Sequence, residues 1–313
     1  MMHMEDERVR MLFLLLLMPL PTVLGWGKEG HYVICKIAQI LLKVILLQCA
    51  LGLTRLGLIT TIVGVVLYIM LTRRISSVTT NTSYFPRSLS NKTLDCSMTT
   101  HFQSYYDATL MILEGDCHDS SKHKHRCVTG GIYNYTMQLK SADAGSELNY
   151  NLTEALLFLS HFVGDVHQPL HVGFIGDLGG NSITVRWYRR KTNLHHVWDD
   201  MIIQSALKTF YNSDLSIMIQ AIQRNITDNW SYDVSHWEHC AHNYTACPDR
   251  YASESISLAC KFAYKNATPG STLEDEYFLS RLPIVEKRLA QGGVRLAAVL
   301  NNIFASKTRT AQA

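Results

Sequence analysis

Residues 151–171 read NLTEALLFLSHFVGDVHQPLH and residues 193–200 read NLHHVWDD. Each stretch contains a His followed four residues later by an Asp: His161 with Asp165, and His195 with Asp199. On a helix, positions i and i+4 lie on one face, so each pair presents an imidazole and a carboxylate to the same point. Nitrogen and oxygen donors in that arrangement suit zinc. The run 155–166 is apolar on every side, which marks a buried helix, and a His and an Asp inside it need partners. A shared metal ion would satisfy both. Pro169 is expected to end this helix just before it, letting His171 fold back toward the same centre.

Working outward, the rest of the chain reads as helices joined by loops. Residues 130–139 (GGIYNYTMQL) start a helix, with Tyr133, Met137 and Leu139 partly on one face. Helical apolar spacing runs through Ile203, Leu207, Phe210, Leu215, Met218 and Ile222, recurs over residues 251–264, and extends over 274–304 with a kink expected at Pro283. Residues 176–181 form a turn cluster, and residues 182–188 alternate like one strand of a short hairpin. Arg186, Arg189, Arg190 and Lys191, with Trp187 and Tyr188 among them, can bind phosphates and stack bases; a solvated hairpin explains them equally well. The cluster His118, His123 and His125 can bind metal, but close spacing in a lysine-bearing loop favours a solvated surface. There are no internal repeats, no glycine-rich phosphate loop and no G-x-S-x-G elbow.

Composition bounds the function. The chain has 313 residues, 47% hydrophobic and 18% charged, which excludes a disordered chain. A net charge of +3 permits a polyanionic partner without requiring one. Residues 1–25 have a basic start (Arg8, Arg10), an apolar run and small residues Val23 and Gly25 before Trp26, the pattern of a secretory signal peptide. Eight Asn-x-Ser/Thr sequons (Asn81, Asn91, Asn134, Asn151, Asn225, Asn229, Asn243 and Asn266) fit that route. In that compartment eight cysteines favour disulfides, and Cys117–Cys127 and Cys240–Cys247 close short loops. Cleavage before Trp26 would give it an α-amino group of pKa ~7.7 to 8, able to ligate a metal together with His31.

One segment stands apart. Leu56 to Thr72 is an uncharged run of 17 residues between Arg55 and Arg73, at the lower edge of the roughly 17 to 25 residues that cross a bilayer. The Ser/Thr/Asn-rich stretch after it shows no period.

Four blocks carry a family resemblance: WGKEGHYVICKIA at 26–38, DCHDSSKHKHRCVTGGIYNYT at 116–136, LSHFVGDVHQPLHVGFIGDLGGN at 159–181 and TVRWYRRKTNLHHVWD at 184–199. They resemble the plant bifunctional nucleases, relatives of mung bean nuclease in the zinc-dependent single-strand nuclease family. The resemblance implies an all-α fold, a single mainly helical domain over residues 26–313 around a cleft with three zinc ions. It implies hydrolysis of single-stranded DNA and RNA to 5′-phosphorylated products, with 3′-nucleotides as further substrates, by a monomer of the extracellular space or vacuole. Its ligand pattern falls on Trp26, His31, His161, Asp165, His171, His195 and Asp199, and Asn181 is the substrate-binding candidate. The family's S-W-A-D and S-P-L-H-Y motifs, which supply a water-orienting Asp and a further His ligand, are missing. Residues 40–114 match no family motif, and Asp95, His101 and Asp107 are weak substitutes. Two zinc sites or fewer are therefore expected to be complete, with impaired activity. A translated intron or misplaced exon boundary accounts for the position and composition of 40–114 together. The same departure removes the family partners of Cys35 and Cys260, leaving Cys49 and Cys96 as replacements. Two other classes compete: a non-catalytic metal-binding protein tethered by residues 56–72, and a trizinc phospholipase C-like hydrolase.

Trp26 can contribute an amine only as the first residue. Amino-terminal sequencing of the mature protein should read Trp-Gly-Lys-Glu; any other start removes Trp26 as an amine ligand.

Overall fold

The computed structural model describes residues 26–42, 117, 123–141, 150–241 and 244–310. Outside them lie the signal segment 1–25, the apolar run 56–72, Asp95, His101, Asp107, His118, the sequons at Asn81, Asn91 and Asn243, and Cys49 and Cys96. The helices are α1 (Lys28–Leu41), α2 (Val128–Ser141), α3 (Leu152–Asp165), α4 (Ile202–Phe210), α5 (Leu215–Thr227), α6 (Ser231–Glu238), α7 (Pro248–Leu258) and α8 (Asp275–Thr310). The architecture is mostly helical, as the periodicity predicts, with one small sheet. Among the described residues no helix is long and apolar enough to cross a membrane.

α3 is the buried centre. Asn151 caps its start, its side-chain oxygen accepting from the backbone N–H of Thr153 at 3.1 Å and of Glu154 at 3.2 Å. Burial is continuous from Phe158 into the following turn, so the helix has no solvated face from that point on. α3 ends at Asp165, earlier than the position of Pro169 predicts. The N–H groups of His167 and Gln168 instead close i−3 bonds to Gly164 and Asp165, both at 3.0 Å. Gln168, restricted by the proline after it, is extended (φ −81°, ψ 117°) and caps a 3₁₀ turn, Pro169–Val172.

α8 is the scaffold on which the other elements lean, above all α1. The two helices approach closely because Gly293 faces Ile37: a Cβ at Gly293 would sit 2.5 Å from Ile37 Cγ2. α8 runs unbroken through Pro283, which lies within its first three turns. α2 packs on α3 with Ile132, Thr136 and Leu139 inward. Tyr133 and Met137 are exposed, so they do not share a face with Leu139; the inward stripe runs i, i+4, i+7, and they stand one residue round from it.

The hairpin pairs β1 (Thr184–Trp187) with β2 (Arg190–Asn193) antiparallel, through a two-residue turn in which Tyr188 takes φ 52°. A third strand, β3 (Thr272–Leu273), adds parallel to β1, giving the order β2-β1-β3. Trp187 anchors the hairpin, its indole N–H donating to Ser205 Oγ at 3.0 Å and its ring meeting Phe278 edge-on. The helical apolar spacing from Ile203 to Ile222 belongs to two helices, α4 and α5. Asn212 and Ser213 take positive φ (50° and 60°) after α4, and Asp214 caps α5 by accepting from Ser216 N–H at 2.7 Å. The helical spacing over 251–264 corresponds to α7 followed by a wider π turn, Ala259–Ala263. Cys117–Cys127 and Cys240–Cys247 are disulfide-bonded, as is Cys260, which therefore does have a partner; Cys35 is a buried free thiol.

Candidate metal centre

Four elements converge on one buried point. α3 supplies His161 and Asp165 and α1 supplies His31. The 3₁₀ turn supplies His171, and the helical turn after β2 (Leu194–His196, then the π stretch Val197–Met201) supplies His195 and Asp199. All six side chains are buried. They fall into two groups, His31/His161/Asp165 and His171/His195/Asp199, and within each group one donor atom per residue lies within 4.8 Å of the others.

Asp165 is approached from three sides. Its Oδ1 lies 3.1 Å from His31 Nε2 and 3.7 Å from His171 Nδ1, and its Oδ2 lies 3.1 Å from His161 Nε2. Asp199 repeats the arrangement, with Oδ1 3.3 Å from His171 Nε2 and Oδ2 3.3 Å from His195 Nε2. His171 thus turns one ring nitrogen to each carboxylate and joins the groups. The rings stack in pairs, His31 on His161 at 4.5 Å and His171 on His195 at 4.9 Å.

These groups are close without being hydrogen-bonded to completion. Both nitrogens of His31, His161 Nδ1, Asp165 Oδ1 and His195 Nε2 are buried with no hydrogen-bond partner among the described residues. Buried polar atoms are normally paired, and three of these orphans (His31 Nε2 and Asp165 Oδ1 in one group, His195 Nε2 in the other) sit where an imidazole meets a carboxylate. A cation held there supplies the missing partner, and imidazole with carboxylate is a zinc donor set. Electrostatics agrees with the geometry. Burial, reinforced by His161, pulls the His31 pKa down, and burial does the same to His195; the neutral imidazole that results is the metal-ligating form. Burial alone would raise Asp165, but His161 and His31 outweigh it and hold the carboxyl well below its usual range. At His171 burial is outweighed by the contact with Asp199 and the charges of Asp165 and Asp199, so its pKa rises.

Three further residues set the geometry and were not visible in the sequence pattern. Gly164 lets His31 lie against the backbone of α3, where a Cβ would come 2.6 Å from His31 Nδ1. Gln168 donates from Nε2 to Asp199 Oδ1 at 2.7 Å. The carbonyl of Gly179 accepts from His195 Nδ1 at 2.7 Å, which leaves the Nε2 lone pair facing Asp199. Leu178, Gly179 and Gly180 all take positive φ to present that carbonyl, and Asp177 holds the turn by accepting from Gly180 N–H at 2.8 Å. The weak signals were the residue before a proline and a Gly-Gly pair in a turn cluster.

The other candidate residues lie as follows. Trp26 is buried, and the N–H of Gly27 next to it bonds to the Asp199 carbonyl at 3.0 Å, which puts this segment beside the second group. Asn181 ends the turn that cradles His195, but its side chain donates to the Leu178 carbonyl at 2.9 Å. His123 and His125 are exposed and join neither group. Arg189, Arg190 and Lys208 line a cavity of about 440 Å³ with Trp187 and Tyr188, on the hairpin side of the fold.

A mostly helical protein that buries two adjoining His₂Asp groups, bridged by a shared histidine, has the donor set of hydrolytic zinc centres, and each group could hold a metal ion. Comparison with known proteins identifies the family. Residues 26–305 match the S1/P1 Nuclease family model, and the chain belongs to that family. It is 53% identical over 301 residues to Endonuclease 4 of Arabidopsis thaliana, covering 92% of each chain. It is 67% identical over 198 residues to Endonuclease 5 of the same plant, covering 63% of this chain and 67% of the relative. Nuclease P1 of Penicillium citrinum is 31% identical over 201 residues, 62% of this chain and 71% of that one.

Gly164→Ala tests the close approach of His31. The added methyl should push the ring off α3 and lower bound zinc, measured by elemental analysis, while the helical circular dichroism stays intact. Unchanged zinc content would mean that His31 is not held by this contact.

Proposed function

We propose that this chain is a secreted zinc-dependent endonuclease that hydrolyses single-stranded DNA and RNA to 5′-phosphorylated products and also removes 3′-phosphates from nucleotides. The observation that carries the reading is the pair of buried His/Asp groups, each with one donor atom per residue gathered within 4.8 Å, in a chain of the S1/P1 nuclease family. His31, His161 and Asp165 would hold one part of the centre, and His171, His195 and Asp199 the other. Zinc bound there supplies a water of lowered pKa and a clamp for the phosphate oxygens.

The chain's own residues do the rest. His195 is kept in one tautomer by Gly179, and Asp199 is kept in place by Gln168, so the donors are oriented before a metal arrives. The exposed cations Arg189 and Arg190, beside Tyr188, would take the phosphates and a base of an unpaired strand, since stacking on an aromatic face needs a base free of its duplex. Asn181, one residue beyond the His195 cradle, is the proposed substrate contact. The amine of a processed Trp26 would complete the His31 side. Two metal positions or fewer are complete in this set, and the water-orienting carboxylate of the family has no counterpart among the described residues, so turnover should be slow.

Disulfides fit the secretory route. Of the proposed glycan sites, Asn134, Asn151, Asn229 and Asn266 are exposed and Asn225 is partly so. Asn151 caps α3 through its oxygen, which leaves its amide nitrogen for a glycan. A monomer released outside the cell or into the vacuole is the proposed form. Neither the comparisons nor the described residues favour the membrane-tethered or phospholipase C-like alternatives, and the run 56–72 lies outside the described residues.

Digestion of single-stranded DNA with added zinc is the direct assay. Slow cleavage to 5′-phosphorylated fragments should stop on chelation and return with zinc, and His161→Ala or Asp199→Ala should reduce it by about a hundredfold or more, the scale of losing a group that acts on transition-state charge. Cleavage that persists in chelator would reject a zinc mechanism.

A further inference from the structure

Beneath the metal centre lies a buried ionic cluster that neither His/Asp group uses. Arg288 and Arg295 of α8 are 1% and 0% exposed and share one carboxylate, Glu254 of α7. Arg295 grips it through both Nη atoms, at 2.6 and 2.8 Å, and Arg288 Nη1 reaches it at 3.0 Å. Both guanidiniums also reach the turn that follows α3. Arg288 Nε donates to the carbonyl of His167 at 3.1 Å, and Arg295 Nη1 lies 3.0 Å from His167 Nε2. With Nε2 accepting, His167 carries its proton on Nδ1 and donates to the Val163 carbonyl at 2.7 Å. Ser255, held by Arg288 at 2.6 Å, donates to the Val166 carbonyl at 2.5 Å. The carbonyls of Val163, Val166 and His167 are therefore all held by one cluster. Asp165 lies among them, Gln168 comes next in the chain, and His171 follows three residues later.

Stability alone is a poor reason for this arrangement. The two buried guanidiniums share one carboxylate that is itself partly exposed and also paired with Arg250, so excess positive charge is buried, and apolar side chains of similar volume commonly serve a core as well or better. Arg295 Nε is buried and has no hydrogen-bond partner among the described residues. What the cluster does achieve is a fixed path for the one stretch of chain that carries Asp165, Gln168 and His171.

We propose that Arg288, Arg295 and His167 are positioning residues of the metal centre, fixing the turn over 163–168 so that Asp165 faces His31 and His161 while Gln168 and His171 face Asp199. The inference rests on the metal-centre reading above. Its test uses the full secreted chain, unmodified and as His167→Leu, His167→Gln and Ser255→Ala, stripped of metal. Each form is titrated with cobalt(II) as a spectroscopic substitute, its zinc affinity is measured by chelator competition, and its melting temperature is recorded metal-free. His167→Leu removes both side-chain contacts, and His167→Gln can keep an acceptor for Arg295 and a donor for Val163.

The expected result is a fall in zinc affinity of about 10- to 100-fold with an altered cobalt visible band in His167→Leu, the scale seen when an outer partner of a metal ligand is lost. His167→Gln should recover most of it, and Ser255→Ala should lose about fivefold, one hydrogen bond's effect. A merely structural cluster would lower the metal-free melting temperature of His167→Leu while leaving affinity and spectrum unchanged, and that outcome overturns the proposal. If His167→Leu does not fold, unchanged affinity and spectrum in Ser255→Ala overturn it equally. An unmodified chain that takes up no cobalt would remove the metal-centre reading itself and the proposal with it.

Discussion

The structure depends on what surrounds Asp165. This carboxylate lies at the end of a helix that has no solvated face from Phe158 on, with imidazoles of His31, His161 and His171 within 3.7 Å. Burying one ionised group in apolar surroundings is costly unless it is paired, and here the pairing groups are themselves buried and short of hydrogen bonds. The arrangement is unfavourable as a core and well formed as a cage for a cation. It also explains why four separate elements must meet there: no single helix carries enough donors to close a site around one point.

The scaffold that makes the meeting possible is α8. It brings α1 close enough, through Gly293 against Ile37, for His31 to reach α3, and Gly164 then admits the imidazole against the helix backbone. From the same helix Arg288 and Arg295 reach the turn after α3. The hairpin side is built separately, on Trp187 packed against Ser205 and Phe278, and it delivers His195 and Asp199 from the opposite direction. Binding chemistry and fold are coupled in this way, because the turn over 176–181 that orients His195 is held by Asp177.

Much of this was legible in the sequence, and the reasons are local. His161/Asp165 and His195/Asp199 follow the helical period, and a polar pair in an all-apolar helix announces a partner. The alternation of residues 182–188 marked a hairpin strand, and apolar spacing marked α7 and α8. What was not legible depends on contacts far apart in the chain. β3 is two residues long and exists only because β1 lies beside it. The break between α4 and α5 rests on Asn212 and Ser213 adopting positive φ inside a continuous apolar pattern. Gly164 and Gln168 matter through His31 and Asp199, and the partners of Arg288 and Arg295 at His167 lie 121 and 128 residues away. No periodicity reports such pairs.

The central claim is that the six buried His and Asp side chains form a zinc centre rather than a network of hydrogen bonds. Anomalous diffraction at the zinc edge, from crystals of the zinc-loaded protein, tests it directly. The account predicts anomalous peaks within ligand distance of His31, His161 and Asp165 and of His171, His195 and Asp199. A map without zinc at either group, with the imidazoles and carboxylates hydrogen-bonded to one another instead, would contradict it.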